Sequence, residues 1–391
     1  MPALKGKPCL SLAACLIVVS ALSASRGTAS AAPGRATPGK YYLALGDSLA
    51  FGATAEGVPV DPTCSAQPSY GYVCLFFRYL RQQQPDLSLL NLSHPLEDSC
   101  EVLNGYGPGS PCTRALDAPI PAPLPQAIAF LQAHPGQVNP ITVNIGGNDL
   151  LPLLPNAAVD PLGTAAQLPK VFSTFSKNLD SLLAQLRAAA GASTSIIVIN
   201  QYNPLGGISS PPLPSGLPQI AVSAIGGMNN VVKSEAAKYS ATYADVAAAF
   251  DAWPGGAAVL TFVPPTLASG DPTKLNILPT ADGYRVYAGA VIRASGFMVK
   301  PTISVKVSPK SVRSGQKLHV SGTTSVYAGT TLTLTPPRGK SHKSAGQAAD
   351  DGTYAFSVSV PKSKGTGHVK VCAVDLPGQK VCSSTMTYRR R

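Results

Sequence analysis

Apolar positions change rhythm along the chain. Between residues 40 and 297, short unbroken apolar runs (41–45, 87–92, 141–145 and 196–200) alternate with longer segments whose apolar residues recur every three to four positions (70–83, 168–190 and 220–239). The compact runs predict strands buried on both faces. The longer segments predict helices: in 70–83, Tyr72, Leu75, Phe76, Tyr79 and Leu80 share one helical face. Strands alternating with helices predict a parallel sheet covered on both sides, a three-layer α/β/α body of the flavodoxin-like kind. Its ligand crevice belongs beyond the carboxyl ends of the strands. Past residue 300 the period drops to two, over 303–307, 330–335, 354–360 and 369–374, with Gly and Pro turns between the runs. That pattern predicts a small, immunoglobulin-like β-sandwich. Asp375-Leu376-Pro377-Gly378 reads as the tip of a hairpin flanked by Cys372 and Cys382. The expected organisation is a leader (1–31), a linker (32–39), an α/β body (40–299) and a β-sandwich (300–391).

The first 31 residues have the three parts of a secretory signal: Lys5 and Lys7, an apolar stretch over 10–24, and Ala29-Ser30-Ala31 as small residues at a cleavage site. Leu12-Ala13-Ala14-Cys15 also matches a lipobox, but the apolar run continues past Cys15 through Leu16-Ile17-Val18-Val19. No other stretch reaches the roughly 18 apolar residues of a membrane helix, so the mature chain is expected without one. Export fits the cysteines. Beyond Cys9 and Cys15 in the leader, six remain in close pairs: Cys64 and Cys74, Cys100 and Cys112, Cys372 and Cys382. Pairing between neighbours is the economical expectation, although six cysteines allow 15 connectivities. No Cys-x-x-Cys or helical His pair accompanies them, so no zinc site is expected, and no metal or organic cofactor.

Composition sharpens this picture in two ways. With 36 glycines and 37 prolines in 391 residues and 45% apolar residues, the chain is neither collagen-like nor disordered. The net charge of +12 is uneven: residues 301–391 hold 14 basic and 3 acidic residues, whereas residues 32–300 hold 14 and 16. The basic character therefore belongs to the C-terminal region. It suits an anionic cell-wall polymer or an anionic lipid surface. Nucleic acid is not expected, because basic and aromatic residues do not interleave and no recognition helix is present. Arg389-Arg390-Arg391 is expected to be a mobile terminal cluster.

Candidate chemistry sits where strands end. The run 41–45 passes directly into Gly46-Asp47-Ser48-Leu49, a serine presented at the carboxyl end of a strand after a glycine that permits a sharp turn. The run 141–145 empties into Gly146-Gly147-Asn148-Asp149, where Asn148 can aim an amide N–H across the same crevice. A hydroxyl facing backbone and amide donors is what acyl transfer requires. Together with Tyr202-Asn203-Pro204-Leu205, Ala244-Asp245-Val246 and Pro279-Thr280-x-x-Gly283-Tyr284, these residues resemble the GDSL branch of the SGNH hydrolases over residues 40–295. The resemblance implies an esterase or lipase acting on ester-bearing lipids or acylated glycans. It makes Ser48 the nucleophile, with the Ser48 N–H and Asn148 as oxyanion donors and Asp47 as support for the turn. Gly147, Tyr202 and Asn203 are candidates to line the substrate pocket, and the two side chains equally suit a loop brace.

Two positions depart from that family. Leu96 stands where a glycine is expected, with an N–H able to point inward and a side chain expected to crowd the crevice. Leu278 occupies the position of the catalytic histidine, and Leu275 or Asn276 that of the acid. A leucine accepts no proton, so Ser48 lacks its inherited base. His94, with Glu97 or Asp98 to orient it, is the candidate for a relocated base, its alternative being a loop histidine ahead of Pro95. Asp271 and Asp282 suit a turn or helix cap as well as an acid. His134 precedes Pro135-Gly136 as a helix stop, and His319, His342 and His368 lie in the C-terminal region. Residues 107–125 form a Pro-rich segment suited to a rim over the crevice or to a plain surface connector. The leading expectation is a secreted carboxylic-ester hydrolase, free or wall-associated. The alternatives are an impaired hydrolase scaffold that binds acylated glycans or lipids, and a wall-attachment protein.

Overall fold

A computed structural model describes residues 36–391 except 55–60, 66–70, 113–118, 158, 209–212, 214, 215, 269–275, 314, 326–328 and 350. The leader, Asp271 and Leu275 lie outside the described residues. Residues 35–391 form one compact unit.

The first part runs β1 (Tyr41–Gly46), α1 (Ser48–Phe51), α2 (Tyr72–Arg81), β2 (Ser88–Asn91), α3 (Ser99–Asn104), α4 (Pro123–Ala133) and β3 (Val138–Asn144). It continues through a 3-10 turn (Gly147–Asp149), α5 (Leu154–Ala157), α6 (Pro161–Ala190), β4 (Ile196–Ile199), α7 (Leu217–Lys238), β5 (Thr242–Ala244), α8 (Val246–Asp251), α9 (Ala257–Leu260), α10 (Val263–Ala268) and α11 (Ala281–Ala294). The five strands are parallel in the order β2-β1-β3-β4-β5. Chain progression reverses direction between β1 and β3, which is where an open α/β sheet leaves a crevice at its carboxyl edge.

The expected double burial is visible along β1. Leu43 and Leu45 enter the core shared with α4, α6 and α7, while Tyr42 and Ala44 enter the core shared with α2, α8 and α11. The expected three-layer body is therefore present. It contains one strand that periodicity did not reveal: β5, three residues long and with a single buried position, is too short to show a run.

The C-terminal region comprises β6 (Lys306–Ser308), β7 (Ser311–Val312), β8 (Lys317–Thr323), β9 (Gly329–Thr335), β10 (His342–Gln347), β11 (Thr353–Ser359), β12 (Gly365–Val374), β13 (Lys380–Cys382) and β14 (Met386–Arg390). One sheet runs β10-β9-β12-β14-β7 with β13 paired to β12, and the other runs β11-β8-β6. All pairs are antiparallel except β14 with β7. Inward residues such as Leu318, Val320, Leu332, Val369, Val371 and Tyr388 fill the space between them. Arg389 and Arg390 are strand residues paired to Ser311 and Val312, so the expected mobility of that cluster is corrected: ladder bonds to β7 hold it.

Disulfides join Cys64 to Cys74, Cys100 to Cys112 and Cys372 to Cys382. The last spans β12 and β13, and the hairpin tip between them is a docking element. Leu376 enters the α2/α8/α11 core. The Arg293 guanidinium donates to the Pro377 carbonyl (3.2 Å), and the Gln379 amide donates to the Val299 carbonyl (3.0 Å). A Cβ at Gly289 of α11 would lie 2.3 Å from the Leu376 carbonyl oxygen, so only glycine permits this approach.

Candidate functional site

Three loops leave the carboxyl ends of β1, β2 and β3 and are tied to one another there. After β1, Gly46 adopts φ +151°, and a Cβ on it would stand 2.3 Å from the Asn144 carbonyl oxygen. Glycine alone allows β1 to turn this tightly beside β3. Asp47 follows, its carboxylate accepting the Leu49 N–H at 2.9 Å and capping α1. This places Ser48 at the first position of α1, half-buried, at the reversal point between β1 and β3.

The loop after β2 extends the ladder along β1. The Leu92 N–H donates to the Ala44 carbonyl (2.9 Å) and the His94 N–H to the Gly46 carbonyl (3.1 Å). The chain then turns at Leu96, whose φ is +64°. A leucine in the left-handed region carries strain on the order of 1–2 kcal/mol. In this geometry the Leu96 N–H donates to Ser48 Oγ at 2.9 Å. The side chain is not packed into the crevice as expected; it is 48% exposed. From the loop after β3, the Asn148 amide donates one N–H to the Glu97 carbonyl (2.7 Å), leaving its second hydrogen for a ligand. Asp149 accepts from the Ser99 N–H and hydroxyl, a second tie between the loops after β2 and β3.

The carboxyls around this point are held toward their neutral forms. Burial pushes Asp47 up to about 7, with Asp149 adding to it. Asp149 is likewise raised by burial to about 7. Glu97 is 1% exposed and is pushed up to about 9, first by burial and then by Glu101 and Asp47. Neither of its side-chain oxygens has a hydrogen-bond partner. Burial thus favours the protonated form of Glu97, while Asp47 and Asp149 stay partly ionised near neutral pH.

The expected base candidates separate clearly. His94 is half-buried in the correct loop, and burial holds its imidazole below the usual histidine range. Its ring hydrogen-bonds to no described residue. Neither suggested orienter faces it: Asp98 caps α3 by accepting from the Cys100 and Glu101 N–H groups, and the Glu97 carboxyl is unpartnered. Asp98 and Glu101 form a capping box at the start of α3. Among the described residues, the hydrogen bond of the Ser48 hydroxyl is the one from Leu96.

Leu278 is half-buried against the α2/α8/α11 core. Its N–H donates to Asn276 Oδ1 (2.9 Å) and its carbonyl accepts the Phe262 N–H (3.0 Å), so its backbone is fixed on both sides. Tyr202 donates its hydroxyl to the Ile277 carbonyl and stacks on Phe250, with ring centroids 4.3 Å apart. Asn203 accepts the Leu205 N–H and closes a turn. Both side chains brace loops, and Tyr202 braces the segment carrying Leu278. Gly147 opens the 3-10 turn that presents Asn148. Asp282 pairs with Arg285 at 2.6 Å. His134 caps the end of α4 and hydrogen-bonds the Phe130 carbonyl. Sequence reasoning did not foresee the left-handed backbone of Leu96, and no local pattern signals it.

Among the described residues, no group of three or more His, Cys, Asp or Glu is arranged to hold a metal, and no helix is long and apolar enough to cross a membrane.

The geometry of these loops can now be set beside known proteins. Among solved structures the chain is similar to phospholipase A1 from Streptomyces albidoflavus, at 19% identity and TM-score 0.44, covering 66% of this chain and 99% of that one. It is also similar to an extracellular lipase from Streptomyces rimosus, at 19% identity and TM-score 0.45, covering 66% and 100%. A catalytic mutant of an acetylxylan esterase from Geobacillus stearothermophilus is 16% identical at TM-score 0.38, covering 68% and 97%. Comparison with curated proteins gave no match. The profile of the GDSL-like Lipase/Acylhydrolase family matches residues 44–286, so the chain belongs to that family.

Proposed function

We propose that this chain is an exported ester-recognition protein built on the GDSL hydrolase scaffold, turning over its ligand only at a residual rate. One observation carries the reading: Ser48 Oγ is hydrogen-bonded to an amide N–H, and a leucine stands where the family places its base. With Oγ accepting from Leu96, the serine proton is free to donate outward, beside the spare Asn148 hydrogen. Two donors beside carboxyls that burial holds toward their neutral forms suit an uncharged ester carbonyl. An ionised carboxylate gains less there, because Asp47 and Asp149 are partly charged near neutral pH. The ligand class is therefore a carboxylic ester of a lipid or of an acylated glycan. Acyl transfer would require the Ser48 proton to leave as Oγ bonds to the carbonyl carbon, and no described side chain is in place to take it. In serine hydrolases, loss of the base costs roughly 10⁴–10⁶ in kcat, while oxyanion donors and binding retain about 10³–10⁴ over water. Export is supported by the leader-like start and by three disulfides, which persist in oxidising compartments.

A second reading, a hydrolase with a recruited base, has His94 in its favour: a half-buried, neutral imidazole two residues from Leu96. Labelling by a fluorophosphonate, together with turnover of p-nitrophenyl butyrate, separates the two. The proposal expects p-nitrophenyl butyrate to bind, with slow labelling and slow turnover, and His94→Ala to leave both unchanged. Fast labelling that disappears in Ser48→Ala and in His94→Ala would replace the proposal with the recruited-base hydrolase.

A further inference from the structure

We propose that the outer face of the six-stranded β sheet is a docking track for a linear anionic polysaccharide. Strand register defines the track. Lys343 on β10 lies opposite Thr333 on β9, which lies opposite Lys370 on β12. Two residues along β12, His368 lies between Thr335 on β9 and Thr387 on β14. Arg389 then follows on β14, opposite Thr366. Directly opposed residues share a face, so these side chains all point away from the core that Leu332, Leu334, Val369, Val371 and Tyr388 fill.

Lys343, Lys370, His368 and Arg389 are all exposed, and none forms an ion pair with a described residue. They descend diagonally across three strands. Spacings of about 4.8 Å between strands and 3.4 Å per residue put neighbouring positions about 7–10 Å apart. Threonine hydroxyls lie between them, offering both donors and acceptors. The strands present no carboxylate on this face, and residues 301–391 as a whole contain only three.

A row of separated cations interleaved with hydroxyls complements a polymer whose anions recur along an extended chain with hydroxyls between them. Three features exclude other polyanions as the favoured occupant. The track has no Phe, Tyr or Trp ring, the stacking platforms of single-stranded nucleic acid sites. It has no protruding element to enter a duplex groove. Its large exposed apolar surface is limited to Val374 at the end of β12, too little to seat a basic surface in a bilayer. The track does not include the Ser48 crevice, so it stands or falls independently of the ester reading.

The test uses the full chain in affinity electrophoresis through gels containing polygalacturonate. Lys343→Glu with Lys370→Glu is compared with Lys306→Glu with Lys317→Glu, which makes the same charge change on the three-stranded sheet. Retention is expected to weaken at least about tenfold in the first pair and less than about twofold in the second, and to fall with added salt. Lys343→Gln with Lys370→Gln should give an intermediate loss with an unchanged thermal unfolding curve, and Ser48→Ala should be retained like the parent. Equal weakening in both pairs, no retention of the parent chain, or tighter binding to oligothymidylate or to phosphatidylglycerol vesicles would overturn the proposal.

Discussion

Putting a histidine back at position 278 tests whether the crevice is idle for want of a single group. Leu278 is half-buried, and its backbone is held by Asn276 Oδ1 on one side and the Phe262 N–H on the other. An imidazole replacing the isobutyl group should therefore occupy a position already fixed by the main chain. A positioned general base contributes about 10²–10⁴ in rate. Without its acid the imidazole is poorly oriented, so Leu278→His alone is expected to raise kcat/KM for p-nitrophenyl butyrate by about 10², the low end of that range. Adding Leu275→Asp should bring the total to about 10³–10⁴, roughly 4–5.5 kcal/mol of transition-state stabilisation at 1.36 kcal/mol per decade. Exchanging a half-buried leucine for a polar ring should cost about 1–2 kcal/mol of stability, so thermal unfolding is measured beside the kinetics. Ser48→Ala placed in the restored chain must return the rate to the parent level. A folded double variant with no Ser48-dependent gain would show that the geometry, and not only the base, is unfit for acyl transfer. Ser48 would then not be a nucleophile that lacks only its base.

Leu96→Gly should stabilise the chain by about 0.5–1 kcal/mol, because release of left-handed strain exceeds the added entropy of the unfolded glycine. With Leu96 half exposed, little burial is lost; a drop in the denaturation midpoint would contradict the strain argument. Gly289→Ala should cost about 1–3 kcal/mol by driving the hairpin tip off α11. Faster hydrogen exchange over 375–379 reports that loss, and an unchanged tip would mean the approach is not tight. The third prediction concerns pH. Glu97, Asp47 and Asp149 have folded-state pKa values above their unfolded ones, so the folded chain binds more protons and stability falls as pH rises. Asp47 and Asp149 act between about 4 and 7, and Glu97 extends the decline toward 9. Glu97→Gln should flatten the curve of melting temperature against pH between 7 and 9; a slope equal to that of the parent chain would refute the assignment.

Legibility in the sequence followed the number of residues carrying each signal. The strands 41–45, 141–145 and 196–200 and the long helices announced themselves because many side chains repeat one instruction. β5 spans three residues and β7 two, and both take their place from neighbours already in the sheet. The two glycine-containing motifs were readable as strand ends, and Ser48 follows β1 and Asn148 follows β3 because those ends are fixed by the sheet. The failures lay in single backbone angles and single partners. Nothing in the text around Leu96 reveals a φ of +64°, and Tyr202 gave no sign that its hydroxyl braces residue 277. The tip 375–378 was readable as a turn, but its burial depends on a glycine 86 residues earlier, beyond the reach of any local pattern.

The same distinction explains which half of the crevice persists. The loop framework belongs to the main chain: the Gly46 turn is enforced by the Asn144 carbonyl beside it, and the His94 and Leu92 ladder bonds carry the loop on to Leu96. Even a leucine, at some cost in strain, is held with its N–H on Ser48. Proton removal has no such backing. If position 278 is the site of the base, it rests on one side chain just before α11, in a segment bonded through its main chain to Tyr202, Phe262 and Asn276. Those bonds ask for no particular side chain at 278, so on the proposed reading the base can be lost while the loops around Ser48 keep their geometry.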